Sequence, residues 1–209
     1  MKKEFYFNLD QAQCDWAFKA IRSKVDVVEI LMRVLKTISI YVEPSPEEVV
    51  GKIKLHIGKM SRLFFFKDDK YYSMSFPFFV ENREGQFFFS SIDIDDIDSY
   101  ITSKVISIIN DPKFQNASSW AFIEPFLEMD EQNTVPGFWS FFKMLLTYED
   151  GYIRYDVDAV REDGDKHPLY HFDVFYSSSP TFKIGLRKHF TNDLMIDFLD
   201  ISTDCHFLK

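Results

Sequence analysis

Gly151-Tyr-Ile-Arg-Tyr-Asp-Val-Asp158, His167-Pro-Leu-Tyr-His-Phe-Asp-Val-Phe-Tyr176 and Thr181-Phe-Lys-Ile-Gly-Leu186 decide the fold of this chain. Each stretch alternates apolar and polar residues, the pattern of a half-buried β-strand. In the first, Ile153, Tyr155 and Val157 point one way and Arg154, Asp156 and Asp158 the other. In the second, Tyr170, Phe172, Val174 and Tyr176 oppose His171, Asp173 and Phe175. In the third, Phe182, Ile184 and Leu186 oppose Thr181 and Lys183. Ser177 to Pro180 is a turn by composition, so a three-strand meander is the simplest connection.

Burying the three apolar sides together sends the other side chains to one surface, because the strand period is two. That surface would carry Arg154, Asp156, Asp158, His171, Asp173 and Lys183. Asp and Lys are depleted in strands, so their density needs a reason. A wet outer face with cross-strand ion pairs is one reason. A catalytic or metal-binding patch is the other. For catalysis the residues are Arg154, Asp156, His171, Asp173 and Lys183, with His171 and a carboxylate doing acid–base work and the cations holding an anion. For a metal they are His167, His171 and Asp173, three residues of one strand parity offering imidazole and carboxylate donors.

Working outward, 209 residues suffice for a single domain with a real core. The chain is 46% hydrophobic and 18% aromatic with 24 Phe, which predicts a bulky core and some aromatic surface. Its net charge of −9 argues against broad nucleic-acid binding and suits a basic protein partner. Two cysteines, Cys14 and Cys205, have no metal spacing and read as cytosolic thiols. No apolar run has the length of a membrane span, and none follows Met1 as a secretory signal. A cytoplasmic protein is expected, with no membrane contact.

Further upstream, residues 2–8 read as an edge strand, and Asp10 with Gln13 as a capping box opening a helix to residue 23. Apolar spacing predicts a second helix over 24–36, followed by a strand at 37–42. Ser45-Pro-Glu-Glu48 has the residues of a helix start, so a third helix is expected to Lys59, with Lys52, His56 and Lys59 on its polar side. Strands are expected at 62–67, 71–80 and 86–92. The aromatic runs 64–66 and 87–89 suggest central strands covered on both faces, and Pro77 marks a bulge or an edge.

Asp93-Ile-Asp-Asp-Ile-Asp98 lacks the spacing of a calcium loop and reads as the acidic start of a helix with Ile97, Ile101, Val105 and Ile108 inward. Helices at 118–129 and 134–148 follow. Thr191 caps a last helix to residue 200, and 201–208 is a tail or edge strand.

The expected class is therefore α+β: an antiparallel or mixed β-sheet with helices packed on one face, in a single domain. Its parts are a helical segment at about 10–59, a β-meander at about 61–92, a helical middle at about 95–148, and the three-strand unit 151–186 with its helix at about 191–200.

Arg154-Tyr-Asp156 followed by His167-Pro-Leu-Tyr-His171 resembles a group of bacterial proteins of similar length with no assigned activity. They carry an Arg-x-Asp strand and then a His-Pro-x-x-His strand near the C-terminal end. The resemblance covers residues 151–186. In such segments a second His often follows His171 at the place Asp173 occupies here. The resemblance implies a small protein of bacterial mobile or defence islands, and the reading taken is an immunity-type protein or an accessory phage-defence subunit; the acidic balance and aromatic excess suit a protein partner, and no cofactor is expected.

The alternative is a small metal-dependent nuclease or hydrolase that uses Asp156, His171, Asp173 and Lys183 with a divalent metal. An Asp on one strand and Lys183 on the next resembles the layout of restriction-type nucleases. In that layout an acid precedes the lysine by two residues, and Thr181 stands there instead.

Overall fold

The computed structural model describes residues 3–68, 70–115, 135–176 and 182–207. The expected helix at 118–129 and the turn at 177–180 lie outside the described residues. The chain has the expected α+β class, and its contacts gather into two compact units: Met1–Ser23 with Glu43–Phe76 and Glu149–Lys209, and Lys24–Val42 with Pro77–Tyr148.

The first unit is built on a seven-stranded sheet of β1 (Lys3–Leu9), β2 (Gly51–Ile57), β3 (Arg62–Lys67), β4 (Lys70–Ser75), β7 (Ile153–Val157), β8 (Tyr170–Val174) and β9 (Phe182–Leu186), in that spatial order. Every neighbouring pair is antiparallel. The expected edge strand at the start of the chain is β1, and the three organising segments are β7, β8 and β9 in meander register. The strand pattern of the second stretch stops at Phe175, whose φ is +70°.

The sheet exchanges its apolar side along its width. Cross-strand partners share a face, so Phe7, Ile53, Phe65 and Tyr72 mark one face of β1 to β4. The same face continues across β7 to β9 as Arg154, Asp156, His171, Asp173 and Lys183. The opposite face bears Lys54, His56 and Arg62 at one end and Ile153, Tyr155, Phe172 and Ile184 at the other.

Each half of the sheet is helix-covered on its apolar face. Helix α1 (Gln11–Ala17) lies over the first half, where the Tyr72 hydroxyl donates to Ala17 O and Cys14 Sγ presses on Gly51. The C-terminal helix Asn192–Leu199, capped by Thr191, lies over the second half, with Met195 packed among Phe64, Tyr71, Tyr155 and Phe172. Strands β3 and β4 stand where the sides exchange and are buried on both. Phe64, Phe65 and Phe66 therefore form an unbroken aromatic run.

Several local expectations change. Residues 45–59 do not form the third helix. Ser45 does bond Glu48, its N at 3.2 Å and its Oγ at 2.7 Å from Oε2, but these contacts close one turn. The chain then extends as β2, because Ile53, Leu55 and Ile57 alternate with Lys52, Lys54 and His56 between two long partner strands. Pairing on both edges outweighs a cap worth about 1 kcal/mol. Lys52 and His56 thus share a strand face, not a helix stripe. Helix α1 has the expected capping box but ends at Ala17.

In the second unit, α2 (Lys24–Ser39) runs into the expected strand at 37–42, its buried stripe reaching Ile38. A two-stranded hairpin, β5 (Phe79–Arg83) and β6 (Gln86–Ser90), follows, and Pro77 falls in the break between β4 and β5. The run 87–89 is not a doubly covered strand. Phe87 and Phe89 are buried, while Phe88 lies on the outer side under the Arg83 guanidinium at 4.7 Å.

Helix α3 (Ser99–Ile109) is capped by Asp98, whose carboxylate accepts from Ile101 N at 2.8 Å. It buries Ile101, Val105 and Ile108 as the spacing predicts. A single turn, α4 (Pro112–Gln115), and α5 (Phe138–Thr147) follow among the described residues, and α2 packs against α3, β6 and α5. The C-terminal helix is α6. Described residues of the tail beyond it form no strand. Among the described residues, no helix is long and apolar enough to cross a membrane.

Candidate functional site

The register of β7, β8 and β9 brings five of the expected residues together. Arg154 faces Asp173, Asp156 faces His171, and Asp173 faces Lys183. Arg154 lies between the two acids, with Nε donating to Asp156 Oδ2 at 2.7 Å and Nη2 to Asp173 Oδ2. Lys183 Nζ is 3.1 Å from Asp173 Oδ1 and 3.0 Å from His171 Nε2. His171 Nδ1 is 2.8 Å from Pro168 O.

A carbonyl can only accept, so Nδ1 carries the proton and Nε2 presents its lone pair to the Lys183 ammonium. His171 and Asp173 are 1% and 3% exposed, whereas Arg154, Asp156 and Lys183 are partly open to solvent.

Gly185 makes this closure sterically feasible. It lies beside His171 on the same face, and a Cβ there would come 2.7 Å from the Pro168 ring. Without a side chain at that position, the loop after β7 folds onto the sheet and delivers its carbonyl to His171. Asp158 stands at the mouth of that loop, beyond the strand, and accepts from Arg161 N and from His167 Nε2 at 3.2 Å.

Strand parity groups His167 with His171 and Asp173 as a metal ligand. Its ring does sit edge-on to His171, centroids 4.9 Å apart, but its Nε2 is engaged with Asp158. The residues whose donor atoms converge, all within 4.8 Å of one another, are Asp156, His171 and Asp173. Arg154 and Lys183 already cap those donors, so a divalent ion would have to displace Lys183 and share both acids with Arg154.

Two further members come from outside the polar pattern. Lys70 on β4 faces Asp156 across the β4–β7 pair. Burial lowers its ammonium, as does the Arg154 charge, while Asp156 and Asp173 pull the other way. Nothing near Lys70 in sequence marks it, since only the long connection from β4 to β7 puts it there. Tyr152 precedes β7 with the parity of Arg154, and that parity alone could have identified it. Burial pulls the Arg154 guanidinium down, but Tyr152, Asp156 and Asp173 together leave it above its ordinary value.

Burial pushes the Tyr152 phenol up to about 12, although Arg154 draws it down by charge and hydrogen bond. An unfolded Tyr ionises near 10, so between about pH 10 and 12 the unfolded chain holds fewer protons than the folded one. The resulting stability is complete below pH 10 and is lost as pH rises through that window, by about 3 kcal/mol. Urea unfolding across the window should show this extra loss in the natural protein and not in Tyr152→Phe. Equal pH slopes for the two proteins would refute the assignment.

No protein-family model, no curated protein and no solved structure matches this chain.

Proposed function

We propose that this is a cytoplasmic binding protein of a bacterial conflict module, immunity-type or accessory, that acts through a protein partner. The observation that carries this is the closure of the polar cluster. Both acids are neutralised by Arg154 and Lys183, and both nitrogens of His171 are engaged. Such a network holds strands in register, with the donor atoms of Asp156, His171 and Asp173 set against the two cations. Large apolar side chains on the surface suit a partner: Phe79, Ile92 and Trp139 in the second unit, Phe182 in the first. The unpaired thiols of Cys14 and Cys205 agree with a reducing compartment.

The convergence of Asp156, His171 and Asp173 favours a second reading, a metal-dependent nuclease or hydrolase. One experiment separates the two. Purified protein is incubated with DNA and RNA in Mg2+ or Mn2+, and its melting temperature is followed as Mn2+ is added. The binding reading expects no cleavage above that of Asp156→Asn and no metal-dependent stabilisation. Metal-dependent cleavage that Asp156→Asn abolishes would overturn it in favour of the enzyme.

A further inference from the structure

Strand β9 ends the seven-stranded sheet, and no described strand pairs with its outer edge. Half of its backbone N–H and C=O groups therefore point away from β8 without a strand partner. Its pairing with β8 is regular from Phe182 to Leu186, with no proline and no bulge to spoil the edge. Its charged side chain, Lys183, lies over the sheet onto His171 and Asp173 rather than out past the rim.

The two sides of this edge differ. Phe182, Ile184 and Leu186 share one face, and Phe182 is 61% exposed. Lys183 and Gly185 share the other. Just beyond the strand stand Arg187 and Lys188, both exposed and without an ion pair among the described residues. The net charge of −9 suits a basic partner over most of the surface, but this edge is locally cationic. A second copy of β9 would set Lys183, Arg187 and Lys188 of both copies along one seam with no acid on either strand.

We infer that β9 is a docking edge for an extended acidic segment of a protein partner, added as an eighth strand. The inference rests on the binding reading above and specifies the partner's chemistry. Alternation fixes the pattern of the segment. Residues on the Phe182 side are apolar, residues on the Lys183 side are polar, and acids reach Arg187 and Lys188 at the end. Main-chain hydrogen bonds supply affinity, and the alternate side chains supply selectivity.

The test uses the full chain and a fluorescent peptide, Val-Glu-Val-Asp-Val-Glu, followed by anisotropy at low salt. Saturable binding in the micromolar range is expected. It should weaken at least about tenfold with a peptide of the same composition whose acids are contiguous, and with the charge reversals R187E and K188E combined. N-methylation of alternate peptide nitrogens should weaken it as much, and this arm leaves the protein unaltered.

No saturation up to about 1 mM, or binding indifferent to N-methylation, overturns the inference. So does a dimer in sedimentation that Ile184→Pro abolishes, since the occupant would then be a second copy. If the peptide fails and the nucleic-acid assay is also negative, only the docking edge is wrong. Cleavage of nucleic acid would remove the binding reading itself.

Discussion

Asp173→Ala is expected to lower the unfolding free energy by about 3 kcal/mol in urea denaturation. Asp173 is 3% exposed and neutralises Arg154 Nη2 on one oxygen and Lys183 Nζ on the other. Truncation leaves two cations on either side of β8, with Lys183 against the buried His171 imidazole. Removing one member of a buried pair typically costs about 3–5 kcal/mol, and the lower end applies because Arg154 and Lys183 still reach water. Asp173→Asn keeps the volume and part of the hydrogen bonding, so it should cost less. The sign of the result matters more than its size. An acid retained for catalysis is often a strained, destabilising residue, so an unchanged or increased stability in Asp173→Ala would speak for an active site. It would also end the account of the cluster as a closed structural network.

Tyr155→Ala should be the most damaging change on the other face of the same strands, at roughly 4 kcal/mol. Tyr155 is 0% exposed. Its ring stacks on Tyr71 at 5.2 Å and meets Phe172 edge-on at 6.0 Å and Phe190 at 6.1 Å. Its hydroxyl accepts from Phe190 N at 3.1 Å, which pins the turn leading into α6. Truncation removes the ring from the middle of the aromatic cluster, and surrounding side chains held on three strands and a helix cannot collapse into the gap. Tyr155→Phe separates the two contributions. It keeps the packing, leaves one backbone N–H without its acceptor, and should cost about 1 kcal/mol. Chemical denaturation of both variants checks this. A loss in Tyr155→Phe as large as that in Tyr155→Ala would show that the hydroxyl, not the ring, holds β7 to α6.

The same alternation explains why the candidate cluster was legible in sequence. Within residues 151–186 a two-residue period leaves little freedom, so Arg154, Asp156, His171, Asp173 and Lys183 had to share a face once Tyr155 and Phe172 were buried. Capping residues acting within one turn were equally readable, as Asp10 and Thr191 show, whereas the acids of residues 93–98, expected inside the first helical turn, precede the helix and leave Asp98 as its cap.

Residues 45–59 show the limit of local signals. Ser45 and Glu48 make their contact, yet β1 and β3 take the following residues as a strand, because two rows of main-chain hydrogen bonds outweigh one cap. Lys70 could not be foreseen beside Asp156, and neither could the choice of Asp156 over His167 as the third converging donor. Both depend on long-range pairing and on a loop closing over Gly185.

The alternating chemistry of its strands and the caps of its helices are thus properties this chain carries residue by residue, since each depends on neighbours a few positions away. The exchange of the apolar side across the sheet, the pairing of the charges on the polar face and the position of β9 at the end of the described sheet arise only when distant strands are set in register. Pairing energy is shared across the whole sheet, and no single segment encodes it.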